Sequence, residues 1–293
     1  MIEVLTMGRV GVDLYPEQSG VPLAEVRTFR KMLGGSATNV AVAAARLGRS
    51  AAVVTGVGDD PFGDCVRGAL RSFGVGDAFV RTVEGHRTPL AFCELFPPDS
   101  FPILFYRERA PDLELSSFPR EAVDAPLFWM TGTGLSAEPS RSTTLAALRA
   151  RGRRAITVFD LDYRRGLWRE PARPWYEEAA SLATVLVGNR EEWAVLGEAP
   201  AGVELVVVKL GPEGVRGATA EEEITVPPVE VDVVNGLGAG DAFGGALCHA
   251  LLAGWPLARV LAFANAAGAL VASRLGCADA MPTAAEVEAL CAA

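Results

Sequence analysis

Short, predominantly apolar runs recur along the chain: Glu3–Met7, Ala51–Val57, Leu127–Thr131, Ala155–Phe159, Thr184–Val187 and Leu205–Lys209. Helix-patterned stretches such as 37–47, Asp60–Ser72 and 139–151 alternate with them. A strand with no polar face cannot lie against water, so both of its faces must be covered. The economical solution is an α/β, three-layer, doubly wound and mainly parallel sheet with helices on both sides. With half of 293 residues hydrophobic and no repeat or low-complexity linker, a single domain over 1–293 is predicted. Ligands of such sheets bind where loops leave the carboxyl ends of the strands.

The stretch Val229–Leu252 is the most informative of these junctions. Residues 229–234 alternate apolar and acidic like a strand, and 242–252 are apolar and alanine-rich like a buried helix. Between them lies Gly236-Leu-Gly-Ala-Gly240, then Asp241. Glycines ahead of a helix let backbone N–H groups converge where the helix dipole is positive, which suits an anion. Asp241 stands at the rim of that hole, placed to take a proton from an attacking hydroxyl. Anion hole plus adjacent base is equipment for phosphoryl transfer to an alcohol. A tight turn with an acidic helix cap is the plainer reading. No Gly-Lys-Ser/Thr follows, and no GxGxxG is present, so neither a Walker A loop nor a dinucleotide site is indicated.

Gly-Ala-Gly-Asp opening a helix resembles the second signature of the ribokinase-like (PfkB-type) sugar kinases. Gly34-Gly-Ser-Ala-Thr-Asn39, followed by an alanine-rich helix, resembles the first. The resemblance covers nearly the whole chain. It implies an ATP- and Mg2+-dependent sugar kinase with Asp241 as base and the backbone amides of Leu237, Gly238, Ala239 and Gly240 stabilising charge. For the sugar it implies Asp13, Gly34, Gly35 and Asn39. On the nucleotide side it implies Asn189, Lys209, Gly211, Gly214, Gly236, Gly238, Gly240 and Asn265, with Glu192 of Asn189-x-x-Glu192 near Mg2+ through water. A small β lid from about 12–33 and 88–108 would cover the sugar and exclude water.

Tyr106 and Arg107 end the lid hairpin, where relatives acting on sugar acids read Tyr-Tyr-Arg; here the first ring is Phe105. Arg164 keeps its place in Asp160-Leu-Asp-Tyr-Arg164, whereas relatives often carry asparagine at the position of Asp162. Tyr106, Arg107 and Arg164 are thus candidates for a substrate carboxylate. Leu5-Thr-Met-Gly-Arg9, Asp13-Leu-Tyr15, Thr131-Gly-Thr-Gly-Leu-Ser136 and Cys277-Ala-Asp-Ala-Met-Pro-Thr283 are similar to one branch of the family, the 5-dehydro-2-deoxygluconokinases of bacterial myo-inositol breakdown. The expected acceptor is therefore the primary hydroxyl of a keto-deoxy sugar acid. A 2-dehydro-3-deoxygluconokinase and a non-catalytic sugar sensor on the same scaffold remain the rivals. Relatives usually begin the second signature Asp-Thr-Thr and use that Asp in a monovalent-cation site; Asn235 stands there, so potassium activation is not expected.

Composition narrows the partners. A net charge of −9 argues against nucleic acid and leaves an anionic substrate to local arginines. The five cysteines lack a CxxC pair, and two histidines give little for a metal centre, which fits free thiols in the cytoplasm. No apolar run is long enough for a membrane span, and no secretion signal opens the chain. Lysine occurs only at 31 and 209, and asparagine only at 39, 189, 235 and 265, so those few sit where function selects them. A lone lid sheet leaves edges and an apolar face exposed, which predicts a homodimer through Phe92, Leu95, Phe96, Ile103 and Phe105.

Overall fold

The computed structural model describes residues 1–292. Its strands are β1 (Val4–Met7), β2 (Gly11–Pro16), β3 (Phe29–Gly34), β4 (Ala51–Gly58), β5 (Val80–Val83), β6 (Leu90–Cys93), β7 (Ile103–Tyr106), β8 (Leu127–Thr131), β9 (Ile156–Asp160), β10 (Val185–Asn189), β11 (Leu205–Lys209), β12 (Val215–Ala218) and β13 (Glu223–Val226). Its helices are α1 (Ser36–Arg46), α2 (Pro61–Ser72), α3 (Glu121–Asp124), α4 (Ser140–Arg151), α5 (Arg173–Leu182), α6 (Arg190–Leu196), α7 (Ala239–Leu252), α8 (Leu257–Ala272) and α9 (Ala284–Cys291).

The large sheet runs β13-β12-β11-β10-β9-β8-β1-β4-β5, parallel from β11 to β5 with an antiparallel pair at one edge. One core joins it to α1, α2, α7, α8 and α9, and a second joins its other face to α3–α6. Every residue of β4 and β8 is buried, as their apolar sequences require. Each large aliphatic side chain so removed from water contributes about 1.5–3 kcal/mol. Strand order reverses between β1 and β8, so the crevice opens above Gly8–Arg9 and Gly132–Thr133.

Helix starts follow their local sequence. Asp60 accepts from the Gly63 N–H at 2.8 Å and Pro61 fills the first turn of α2. Thr283 and Glu286 form a capping box on α9. The alanine-rich α1 lies against α7 at backbone distance. A Cβ on Gly245 of α7 would stand 2.3 Å from the Ala43 Cβ and 2.8 Å from the Ala44 nitrogen.

A separate four-stranded sheet, β3-β2-β6-β7, is mixed, with β2 and β6 parallel. Its strands overlap residues 12–33 and 88–108, extending one residue beyond the first range at Gly11 and Gly34, and Leu23–Glu25 between them is a 3-10 turn. Two expectations need correction. Residues 229–234 are not a strand: Pro227 and Pro228 just before them remove two donors, and the Val234 N–H bonds to the Ala272 carbonyl of α8 and not to a strand. The proposed apolar face was also misphased. Strand alternation puts Ile103 and Phe105 on the side facing the body and Leu104 and Tyr106 outward, and Leu95 is buried. Of the five, Phe92 lies on the outer face, where it meets Phe29 and Tyr106 at ring distances of 5.6 and 5.4 Å.

Candidate active site

The first glycine pair brings one wall of the site together. Gly35 adopts φ 102°, and a Cβ there would lie 2.4 Å from the Arg9 carbonyl oxygen, so only glycine lets α1 begin so near the β1–β2 loop. Gly34 lies directly beneath the carboxylate of Asp13. Asn39, in the first turn of α1, donates from Nδ2 to the Asp241 Oδ2 at 2.8 Å. Thus the two glycine signatures meet through their polar side chains.

Gly238 takes the left-handed conformation, φ 86°, that starts α7. Among the described residues, the N–H groups of Gly238, Ala239 and Gly240 have no protein acceptor, so three free amides crown the helix. The Leu237 N–H does not join them, because it donates to the Asn235 Oδ1 at 3.0 Å. Gly236 is exposed beside Phe101 of the small-sheet hairpin. Burial, partly offset by the Asn39 hydrogen bond and reinforced by Asp162, pushes Asp241 up to about 6. Burial likewise pushes Asp13 up to about 7, against Arg9 and with the help of Asp241.

A charged cluster surrounds these groups, and sequence reasoning foresaw only part of it. Lys209 Nζ stands 3.8 Å from the Asp160 Oδ1 and reaches the first turn of α7 beside Gly240. Burial works against its charge, but Asp160, Glu192 and Asp241 hold the ammonium above its usual range. Asp160 is itself raised by burial, and its buried Oδ1 lacks a hydrogen bond. Asp162 goes the other way: burial opposes ionisation, yet Arg9, Arg164 and Ser36 keep its carboxyl below the usual range. Ser36 Oγ donates to it at 2.6 Å and Thr133 Oγ1 at 3.2 Å.

Not every expected residue points inward. Tyr106 is 60% exposed on the outer face, turned away from the crevice, because strand alternation gives the inward places to Phe105 and Arg107. Arg107 lines the crevice with Asp13, and its Nη2 is paired with Asp112 at 2.8 Å. Arg164 is half exposed, 3.4 Å from Asp162. Asn189 and Glu192 form a reciprocal capping box on α6, at 2.8 and 2.9 Å, which occupies one Glu192 oxygen. Gly211 and Gly214, both at positive φ, make the turn after Lys209. Asn265 on α8 donates to the Pro227 carbonyl at 2.9 Å. Among the described residues no three carboxylate, histidine or cysteine side chains converge as a ready metal cage. A magnesium ion carried largely by phosphates and water needs no such cage. The Asp160 Oδ1, which takes no hydrogen bond and has only the distant Lys209 ammonium for a partner, suits its hydration shell.

The pattern of pfkB family carbohydrate kinases matches residues 1–284. The chain belongs to that family. It is 33% identical over 309 residues to the 5-dehydro-2-deoxygluconokinase of Shouchella clausii (strain KSM-K16), covering 98% of this chain and 95% of that protein. With the 5-dehydro-2-deoxygluconokinase of Photobacterium profundum it shares 34% over 310 residues, covering 96% and 92%. An uncharacterized sugar kinase from Pyrococcus horikoshii, solved in complex with ATP, superposes with a TM-score of 0.85 at 27% identity over 98% of this chain and 99% of the other. The chain is therefore a carbohydrate kinase on a ribokinase-like fold. No helix among the described residues is long and apolar enough to cross a membrane.

Proposed function

We propose that this kinase phosphorylates the primary hydroxyl of a keto-deoxy sugar acid, foremost 5-dehydro-2-deoxy-D-gluconate to its 6-phosphate, with ATP as donor. The observation that carries the chemistry is Asp241, anchored by Asn39 at 2.8 Å at the mouth of three free amides. Asp241 accepts the proton of the acceptor hydroxyl as its oxygen bonds to the terminal phosphorus and the bridging P–O bond breaks, leaving ADP. The Gly238–Gly240 amides stabilise the charge on the moving phosphoryl group. Lys209, Gly211, Gly214, Gly236 and Asn265 lie on the nucleotide side. Magnesium, near Glu192 and Asp160, would neutralise phosphate charge. Asp13, Gly34, Gly35 and Asn39 hold the sugar, Arg107 and Arg164 flank it, and the small sheet serves as lid.

The acceptor assignment draws on the names of the relatives and on the arginines around Asp13. Purified protein with ATP and Mg2+ is assayed against 5-dehydro-2-deoxygluconate, 2-dehydro-3-deoxygluconate, fructose and ribose. The first should give the highest kcat/KM; preference for either neutral sugar overturns the reading.

Asn235 bears on the monovalent cation. Its buried Nδ2 donates to the carbonyl oxygens of Leu237 and Gly276 at 3.3 and 3.2 Å. An amide NH2 thus satisfies the carbonyls that a cation would otherwise draw together. Turnover should be equal in potassium and tetramethylammonium salts. Asn235→Asp sets an anion against two acceptors, so it should lose about tenfold or more activity unless potassium is supplied. A wild-type enzyme inactive without potassium contradicts this account.

Leu104, 49% exposed, and Tyr106, 60% exposed, join Leu14, Phe29 and Phe92 on the outer face of the small sheet. A second copy covering that face makes a homodimer. Light scattering should give twice the chain mass, falling to one with Leu104→Glu; a monomeric wild type refutes it.

A further inference from the structure

Arg9 follows β1 at the point where strand order reverses, and its sequence context gives it no role. Its guanidinium lies 5.6 Å from the ring centre of Phe105. Its Nη2 is 3.5 Å from the Asp162 Oδ1, and the side chain lines the same crevice as Asp13, Phe105 and Arg107. Phe105 and Asp162 are two of the positions at which the sequence departs from relatives that act on sugar acids. Both departures contact Arg9.

Two other buried arginines, Arg151 and Arg141, are well engaged. Arg151 donates from Nε to Thr157 Oγ1 at 2.6 Å and from its two amino groups to carbonyls such as Val123 and Ile156 at 3.1 and 2.9 Å. Arg141 donates from Nε to the Leu135 carbonyl at 2.8 Å and from Nη2 to Glu170 at 2.5 Å. Arg9 makes no side-chain hydrogen bond among the described residues, and its buried Nε has no acceptor. An unengaged guanidinium fork out of water is costly unless a ligand supplies the oxygens.

Charge accounting favours Arg9 over Arg107. Arg107 has a private counterion in Asp112, both side chains being nearly inaccessible, so that pair is neutral. Arg9 and Arg164 share the single carboxylate of Asp162, so neither has a counterion of its own as Arg107 does. Arg9 is also close enough to Asp13 and Asp241 to favour their ionised forms. It therefore stands between the group that would hold sugar hydroxyls and the base.

We infer that Arg9, oriented by Asp162 and backed by Phe105, is the residue that binds the acceptor's carboxylate and selects sugar acids over neutral sugars. A planar fork meets a carboxylate with two parallel N–H···O bonds, which lysine cannot reproduce. The inference rests on the sugar-acid reading above. The test compares wild type, Arg9→Met and Arg9→Lys with 5-dehydro-2-deoxygluconate, with its uncharged amide, and with fructose. Arg9→Met should raise KM for the acid by about ten- to a hundredfold, with KM for ATP and the rates on amide and fructose little changed. Arg9→Lys should fall between, and it carries the test if the methionine variant does not fold. If wild type prefers the acid but neither substitution raises its KM, this assignment fails and the sugar-acid reading stands. If Arg9→Met lowers kcat on acid, amide and fructose alike, Arg9 serves the moving phosphate and the assignment also fails. A wild type indifferent to the acid's charge overturns both.

Discussion

Asp241→Asn should lower kcat by about 10²- to 10⁴-fold, the range for losing a general base, while KM for ATP stays near its wild-type value. The amide can still accept from Asn39, so geometry is kept and only proton affinity is lost. In wild type, kcat/KM should rise with pH through about 6, the value to which burial lifts this carboxyl, and level off above it. Stability should move the opposite way. Between the ordinary 3.8 and about 6 the folded state binds the proton more tightly than the unfolded chain. Stability therefore falls as pH rises through that window, and above it the buried charge costs about 3 kcal/mol, from about 1.4 kcal/mol per pKa unit. The asparagine variant escapes that penalty, so it should melt higher than wild type at pH 8 and lose the advantage near pH 4. A variant that is inactive and also less stable at pH 8 would point to a structural role for Asp241. Near-normal turnover would remove it from the chemistry.

Gly34→Ala should be almost as damaging to sugar binding, through a single methyl group. The ideal Cβ at Gly34 falls 2.0 Å from the Asp13 Oδ1, far inside contact distance, so the carboxylate must leave its place. Gly34 is not at positive φ, so the backbone itself accepts alanine and the cost falls on the site. Losing a charged hydrogen-bonding partner that holds sugar hydroxyls should raise the sugar KM about a hundredfold, each such bond counting roughly 1.5–3 kcal/mol. ATP binding, measured by calorimetry, should not change. Gly68→Ala is the matched control. It lies on the exposed side of α2 with nothing within 4 Å of the added atom, so it should be neutral or slightly stabilising. Unchanged sugar affinity in Gly34→Ala would take Asp13 out of the binding site.

The contrast between those two glycines shows what the sequence carries. The parallel sheet was legible because fully apolar strands such as Ala51–Gly58 admit no other environment. The glycine signatures were legible because positive φ and close approach have few chemical solutions, and Gly35 and Gly238 use both. Strand phase was less so. Ile103, Leu104, Phe105 and Tyr106 are all apolar or aromatic, so nothing in their order says which pair faces the body. Val229–Val234 shows the converse failure, since its alternation is that of an extended chain and pairing depends on a neighbour the sequence does not name. Arg9 and Asp160 were missed because a lone charge after a strand looks like any solvated loop residue until the fold buries it. The asparagine of Asn189-x-x-Glu192 caps α6, and the same two residues would read identically in a helix with no metal nearby.

The contact of Gly245 with Ala43 has a mechanical meaning. With only the Ala43 methyl between them, α1 and α7 pack almost backbone to backbone, and the Asn39–Asp241 bond crosses the seam between signatures 202 residues apart. The anvil of the enzyme is thus one piece. Asp241 and the Gly238–Gly240 amides hold their spacing through that seam, which takes nothing from the small sheet. The sheet, with its Phe105 and Arg107 undersurface, is then one part that can be recut for a different acceptor, alongside Arg9 on the body. A lineage of such kinases can then change its sugar by substitutions in strands 11–16 and 103–106 without retuning the transfer step. Substitution at position 245 would disturb every acceptor equally.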